Sequence, residues 1–335
     1  MIPRTLKFPK LLDSCFMLAR WSVILGGIVF FGWVFKDAMG SSGGLAPHRW
    51  DLLIAALLLQ LSQLFFLMWL WEKVLRIIWL QKGADVTTRK FYTIYSRSWL
   101  ARYIPGRIWS LAGRALLAQK SGVPAIAVSN SVAAEIWLSY GLLTILSVSL
   151  LIYSFFNLGM GIVVLVVTTG VFGIVTWKLH HVGRDFLITL EESDGYLKAL
   201  WRKLLELGLG TVSISRMTIF KGIGFYGLYS VMQLTCIIVV ALAFVPLTFS
   251  QALILMGVWG ISLTAGWLCF ILPVGIGARE GIAFLALSQI LDINSASNIL
   301  IASRLLSIGC DLIFVVSMEI LALGHSNICG KSKYS

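Results

Sequence analysis

From Gly222 to Ala278 the chain carries no charged residue. A membrane crossing needs roughly 20 apolar residues, so this run holds two crossings. Pro246, which has no N–H to continue a helix, marks the turn between them. Ile136–Trp177 is also uncharged and holds two more, turning near Asn157, Leu158 and Gly159. Leu52–Trp71 and Cys15–Phe35 each supply one, and Arg20 near the start of the latter is able to snorkel. Residues 279–323 contain a short apolar part, 281–291, and a longer one, 298–323, which carries Arg304 and Asp311.

The chain is 58% hydrophobic and only 13% charged, against about 25% charged in soluble domains. The expectation is an all-α, polytopic integral membrane protein of about 7–8 transmembrane helices. A single membrane domain spans 1–335. Its first half is 1–179, its second half is 216–335, and an amphipathic segment, 180–215, lies between them on the inner leaflet. That segment is too short to be a separate catalytic domain.

The net charge of +12 has its source in loop lysines and arginines, which accumulate on the cytoplasmic side of membrane proteins. Nucleic acid is not an expected partner. With the N-terminus in the cytoplasm and alternating spans, only Lys36 and Arg49 of the 27 Lys and Arg residues fall in an outer loop. Arg4, Lys7 and Lys10 precede a run long enough to span, with no small-residue cleavage site after it. They fit an uncleaved first helix. The protein is expected in the cytoplasmic or inner membrane, with both termini inside.

Charges within a bilayer cost roughly 2.5–3.5 kcal/mol or more each and mark pathways or binding sites. The stretch SRSWLARYIPGRIWSLAGR, 96–114, places Arg97, Arg102, Arg107 and Arg114 among tryptophans and aliphatics. Pro105 and Gly106 should break a helix entering at Tyr92–Arg102. A second helix over Ile108–Leu117 would then form a re-entrant hairpin, element 91–118. Guanidinium forks suit phosphate; the plain alternative is an interfacial helix whose arginines snorkel. In LPVGIGAREG, 272–281, Pro273, Gly275 and Gly277 interrupt the chain before Arg279 and Glu280. That is a second broken element, 270–291, or else a tight turn at the membrane face.

Glu135 lies about 12 Å into its span at 1.5 Å per residue, where a carboxylate must be protonated or paired. An arginine of the preceding hairpin is its best partner, for architecture or for function. Arg304 and Asp311 share a face about 10 Å apart. They could bridge each other through water or serve Glu280 and Arg279. Paired interrupted segments, one in each half, point to a transporter's binding site and suggest a two-half pseudo-repeat.

These motifs together resemble the lysylphosphatidylglycerol synthase transmembrane region family, over roughly residues 90 to 320. The resemblance implies a flippase-like domain that handles anionic lipids, aminoacylated phosphatidylglycerol or polyprenyl-phosphate-linked sugars among them. It matches Arg102, Pro105, Gly106, Arg107, Arg114, Glu135, Pro273, Gly275, Gly277, Arg279 and Glu280. There is no room for the cytosolic acyltransferase domain of the synthases, so synthase activity is not expected.

Two readings of function follow. In one, the arginine elements bind a phosphate headgroup and the protein translocates the lipid. In the other, it holds a lipid-linked substrate for a glycosyltransferase or lipid-modifying enzyme. The headgroup residues are Arg97, Arg102, Arg107, Arg114, Arg279 and Arg304, and the charge-pairing residues are Glu135, Glu280 and Asp311. No catalytic motif, metal set or cofactor is expected: five scattered cysteines and four histidines have no ligand spacing.

Overall fold

A computed structural model describes residues 47–79, 87–103, 108–191, 216–269 and 278–331. Among them are nine α-helices, one 3-10 turn and no strand. They are α1 (Trp50–Trp79), α2 (Thr88–Trp99) continued by the 3-10 turn Leu100–Tyr103, α3 (Ile108–Lys120), α4 (Ala125–Phe155), α5 (Leu158–Glu191), α6 (Arg216–Leu242), α7 (Phe249–Leu268), α8 (Ala278–Leu287) and α9 (Ile293–Lys331). Six of these, α1, α4, α5, α6, α7 and α9, are long and apolar enough to cross a membrane. The chain is an integral membrane protein. The expected span Cys15–Phe35 lies outside the described residues, as do Pro105, Gly106, Arg107, Pro273, Gly275, Gly277 and residues 192–215 of the amphipathic segment.

The turns fall where the local chemistry requires them. Asn157 Oδ1 accepts the Met160 backbone N–H at 2.8 Å and starts α5 after a two-residue break. Thr248 and Gln251 form a reciprocal capping box at the start of α7. Gln251 Nε2 also donates to Ile290 O at 2.9 Å, which ties that start to the turn before α9. Gly122 ends α3 at φ +83°; Val123 N–H returns to Ala118 O and Gly122 N–H to Gln119 O. This Schellman closure needs a left-handed residue, hence glycine. Asp292 accepts the Ser295 N–H at 2.9 Å at the head of α9, and that bond holds its carboxyl below the usual carboxylate range.

α2 and α3 form a hairpin beside α9 and α4. The hairpin defines one end of the bundle; the turns at 156–157, 243–248 and 288–292 lie at the other. Two apolar clusters fill the bundle. One joins α1, the hairpin, α4 and α9 around Trp71, Tyr95 and Phe314. The other joins α1, α4, α6, α7, α8 and α9 around Ile237, Leu255 and Ile299. α5 packs on α4 at the periphery and exposes Val163, Val166, Val167, Val171 and Ile174. This is the surface a lipid-facing helix presents, since hydrocarbon solvates it.

α4 and α7 make the most extensive helix pair, and small residues let them approach closely. A Cβ on Gly257 would lie 2.5 Å from Leu151 Cγ and 2.9 Å from the Ser147 carbonyl oxygen, and one on Gly260 would collide with the Ser147 side chain. Gly266 likewise lets α8 approach, with Arg279 Cβ only 2.9 Å from where its own Cβ would be. Gly260→Val should therefore destabilise the protein by about 1–3 kcal/mol through overpacking. Its thermal midpoint in detergent should fall well below that of wild type; an unchanged midpoint would show that α4 and α7 do not need this approach.

Candidate functional site

The hairpin descends beside α9 and carries its arginines away from the bundle's hairpin end. Arg89 donates to the Leu321 and Ala322 carbonyls at 2.6 and 2.9 Å, and Arg97 forks onto Glu319 at 2.9 and 3.3 Å. One helical stretch further in, Asp311 accepts from Trp99 Nε1 at 2.8 Å, Arg102 at 2.6 Å and the Tyr103 hydroxyl at 2.5 Å. Asp311 is eleven residues before Ala322 on α9, about 16 Å along the axis. The described end of this arm, Leu100–Tyr103, thus packs inside the bundle rather than at its hairpin end.

On the returning arm, Arg114 is held between Tyr95 and Trp71, its guanidinium 4.2 and 5.1 Å from their ring centres. It pairs with Glu135 of α4 at 2.9 Å, and Tyr95 donates to the other oxygen of that carboxylate at 3.4 Å. Glu135 therefore has the hairpin arginine that its depth required. In the second half, Arg304 of α9 pairs with Glu280 of α8.

Asp311 does not serve Arg279, as one reading of the sequence had it. It sits two turns nearer the hairpin end than Arg304, level with Arg102, and takes its charge partner there. Arg279 consequently has no ion pair among the described residues. It is 8% exposed, lies over the Trp259 ring at 4.2 Å, and its Nε has no hydrogen-bond partner. A desolvated cation–π contact contributes about 2 kcal/mol, short of the several kcal/mol that burying an ion costs.

Arg102, Arg114, Glu135 and Arg279 line one cavity of about 200 Å³ between the two apolar clusters, with room for on the order of ten waters. Arg97 faces a separate groove beside Arg89, Lys90 and Lys120 at the hairpin end. Arg304, Glu280 and Asp311 stand behind the cavity wall as charge partners. Both short helices begin at the cavity: Ser110, in the first turn of α3, and Arg279, in the first turn of α8, are in its lining. The positive ends of two helix dipoles thus add to the arginines.

Several participants were missed by the sequence reading. Glu319 and Trp259 hold arginines, and Glu72 joins α1 to α2 by accepting from Arg76 at 2.6 Å and Thr88 at 2.9 Å. Tyr95 and Trp71 flank Arg114, and Trp99 and Tyr103 donate to Asp311. The acids could have been found as carboxylates inside or at the edge of apolar runs; the aromatic partners carry no such mark.

The Arg114–Glu135 pair has side-chain exposures of only 5% and 10%. Removing one member of a buried pair costs about 3–5 kcal/mol, whereas replacing both with apolar groups is far milder. Glu135→Leu should therefore lower thermal stability sharply, and Arg114→Leu/Glu135→Leu should recover most of the loss. Additive losses in the double variant would contradict the pairing.

No protein-family model, curated protein or solved structure matches the chain.

Proposed function

We propose that the protein is a flippase-like membrane protein of the lysylphosphatidylglycerol synthase transmembrane region type. It binds a lipid phosphate headgroup in the cavity and moves that lipid between leaflets. One observation carries the reading: among the described residues Arg279 is buried at the cavity wall without an ion pair, while Arg102, Arg114 and Arg304 each have a carboxylate. The cavity's arginine cluster is one negative charge short. A phosphate anion supplies that charge and accepts from the guanidinium and from the first-turn N–H groups of α3 and α8.

The hairpin end is the cytoplasmic end. Arg76, Arg89, Lys90, Arg97, Lys120 and Lys178 lie toward that end, as the cytoplasmic bias of basic residues requires. The Pro- and Gly-bearing sequence stretches 104–107 and 270–277, each followed by a short helix that starts at the cavity, fit a transporter in which two halves move about a fixed site.

A second reading uses the same site without movement. Arg97–Glu319 and Arg102–Asp311 clip the hairpin to α9, which suits a subunit that holds a lipid-linked substrate for a glycosyltransferase or lipid-modifying enzyme. Reconstitution separates the two. Wild-type protein in vesicles should speed exchange of acyl-labelled phosphatidylglycerol between leaflets, and Arg279→Gln should cut the rate about tenfold or more. A rate equal to that of empty vesicles across several anionic headgroups contradicts translocation. If the protein still retains lipid and co-purifies with a transferase, the holding role stands instead.

A further inference from the structure

The charge arrangement that favours an anion also restricts what may be attached to it. Among the described residues the carboxylates at the cavity are occupied. Glu135 is engaged by Arg114 and Tyr95, Asp311 by three donors, and Glu280 by Arg304. An ammonium group entering the cavity meets Arg102, Arg114 and Arg279 in the lining and no carboxylate left open to it. Its desolvation would go uncompensated, and like charges would oppose it.

The rest of the lining is neutral but far from inert. Tyr140, Tyr229, Gln233 and Ser307 face the cavity. None of their side-chain polar atoms is engaged by a described residue, and none is sealed from the cavity as a buried orphan. Together they offer three hydroxyls and an amide, each able to donate and to accept. Tyr140 also lies against Trp267 at 5.2 Å between ring centres, tilted by 31°, and both rings line the space. Aromatic planes with polar edges, beside unengaged hydroxyl and amide groups, form a surface for a ring that bears hydroxyls on its rim and C–H bonds on its faces.

We propose that the cavity selects a phosphodiester lipid whose headgroup is neutral and hydroxyl-rich, and rejects one whose headgroup carries an ammonium. This rests on the headgroup reading above and narrows its substrate class. Arg279 receives the phosphate; Tyr229, Gln233 and the Tyr140–Trp267 pair receive the polyol. Sugar and glycerol headgroups share this chemistry, and the test distinguishes them.

The test uses full-length protein in phosphatidylcholine nanodiscs holding a trace of acyl-labelled phosphatidylglycerol, displaced by unlabelled lipids. Phosphatidylinositol, an anionic lipid with a cyclic polyol, should displace the label at the lowest mole fraction. Phosphatidylglycerol should follow it. Phosphatidic acid, which lacks the polyol, should need about three- to tenfold more, the worth of one or two hydrogen bonds. Lysyl-phosphatidylglycerol and phosphatidylserine should be weaker still.

Equal displacement by phosphatidic acid overturns the polyol part of the proposal, and equal displacement by lysyl-phosphatidylglycerol overturns the charge part. Phosphatidylglycerol outranking phosphatidylinositol would assign a glycerol-sized site and overturn the role of the aromatic pair. Tyr229→Phe and Gln233→Leu should each shrink the preference for phosphatidylinositol over phosphatidic acid, and an unchanged ratio in both variants also overturns the proposal. Failure of the underlying reading looks different: the label is then not retained by wild type, or is retained equally by Arg279→Gln.

Discussion

A guanidinium in an apolar medium must find a negative partner or lose its place, and the interior of this protein is organised by that requirement. Arg102, Arg114 and Arg304 each draw a carboxylate from a different helix. The resulting pairs join the hairpin to α9, α3 to α4, and α8 to α9. The hairpin and α8 are too short to cross a bilayer alone, so these polar links, rather than hydrophobic length, determine how deep they sit. In a bilayer, where the hydrophobic effect does little to hold helices together, such links and close small-residue packing are the available forces. Gly257, Gly260 and Gly266 supply the second kind, and they bring α7 near enough to place Trp259 beneath Arg279.

Among the described residues of the cavity lining, the one arginine without a carboxylate gives the cavity its character. A wet space of this size lined by paired charges alone would be electrically neutral and would hold water. In the proposed function Arg279 makes it a site for an anion, because no nearby described residue completes its charge. Its position in the first turn of α8 matters as well: the helix dipole and the side chain point the same sign of charge at the same place. In the same proposal the unengaged tyrosine, glutamine and serine groups select the headgroups that fit beside the phosphate.

Much of this was legible in the sequence, and the limits have physical causes. Uncharged runs located α1, α4, α5, α6 and α7, and a long apolar run carrying Arg304 and Asp311 located α9, because bilayer thickness imposes length directly on composition. Helices on either side of Pro105 and Gly106 were foreseen, and α2 and α3 lie on either side of residues 104–107, which are outside the described residues. Glu135 announced its need for an arginine by depth alone, and Glu280 with Arg304 was a short step. The partner of Asp311 was not legible, since it depends on how far the hairpin descends beside α9, a tertiary quantity. Arg97 was read as a headgroup residue and lies instead with Glu319, away from the central cavity. Trp259 sits in a fully apolar run and gave no sign that a cation would cover its ring.

The account turns on whether Arg279 holds an anion that nothing else in the protein replaces. Native mass spectrometry of the purified protein measures this directly, as the number of anionic lipids retained per chain when neutral detergent strips the bilayer. Wild type should keep about one, and Arg279→Gln should keep none while remaining folded. Equal retention by the two proteins would place the bound lipid elsewhere and contradict the central claim.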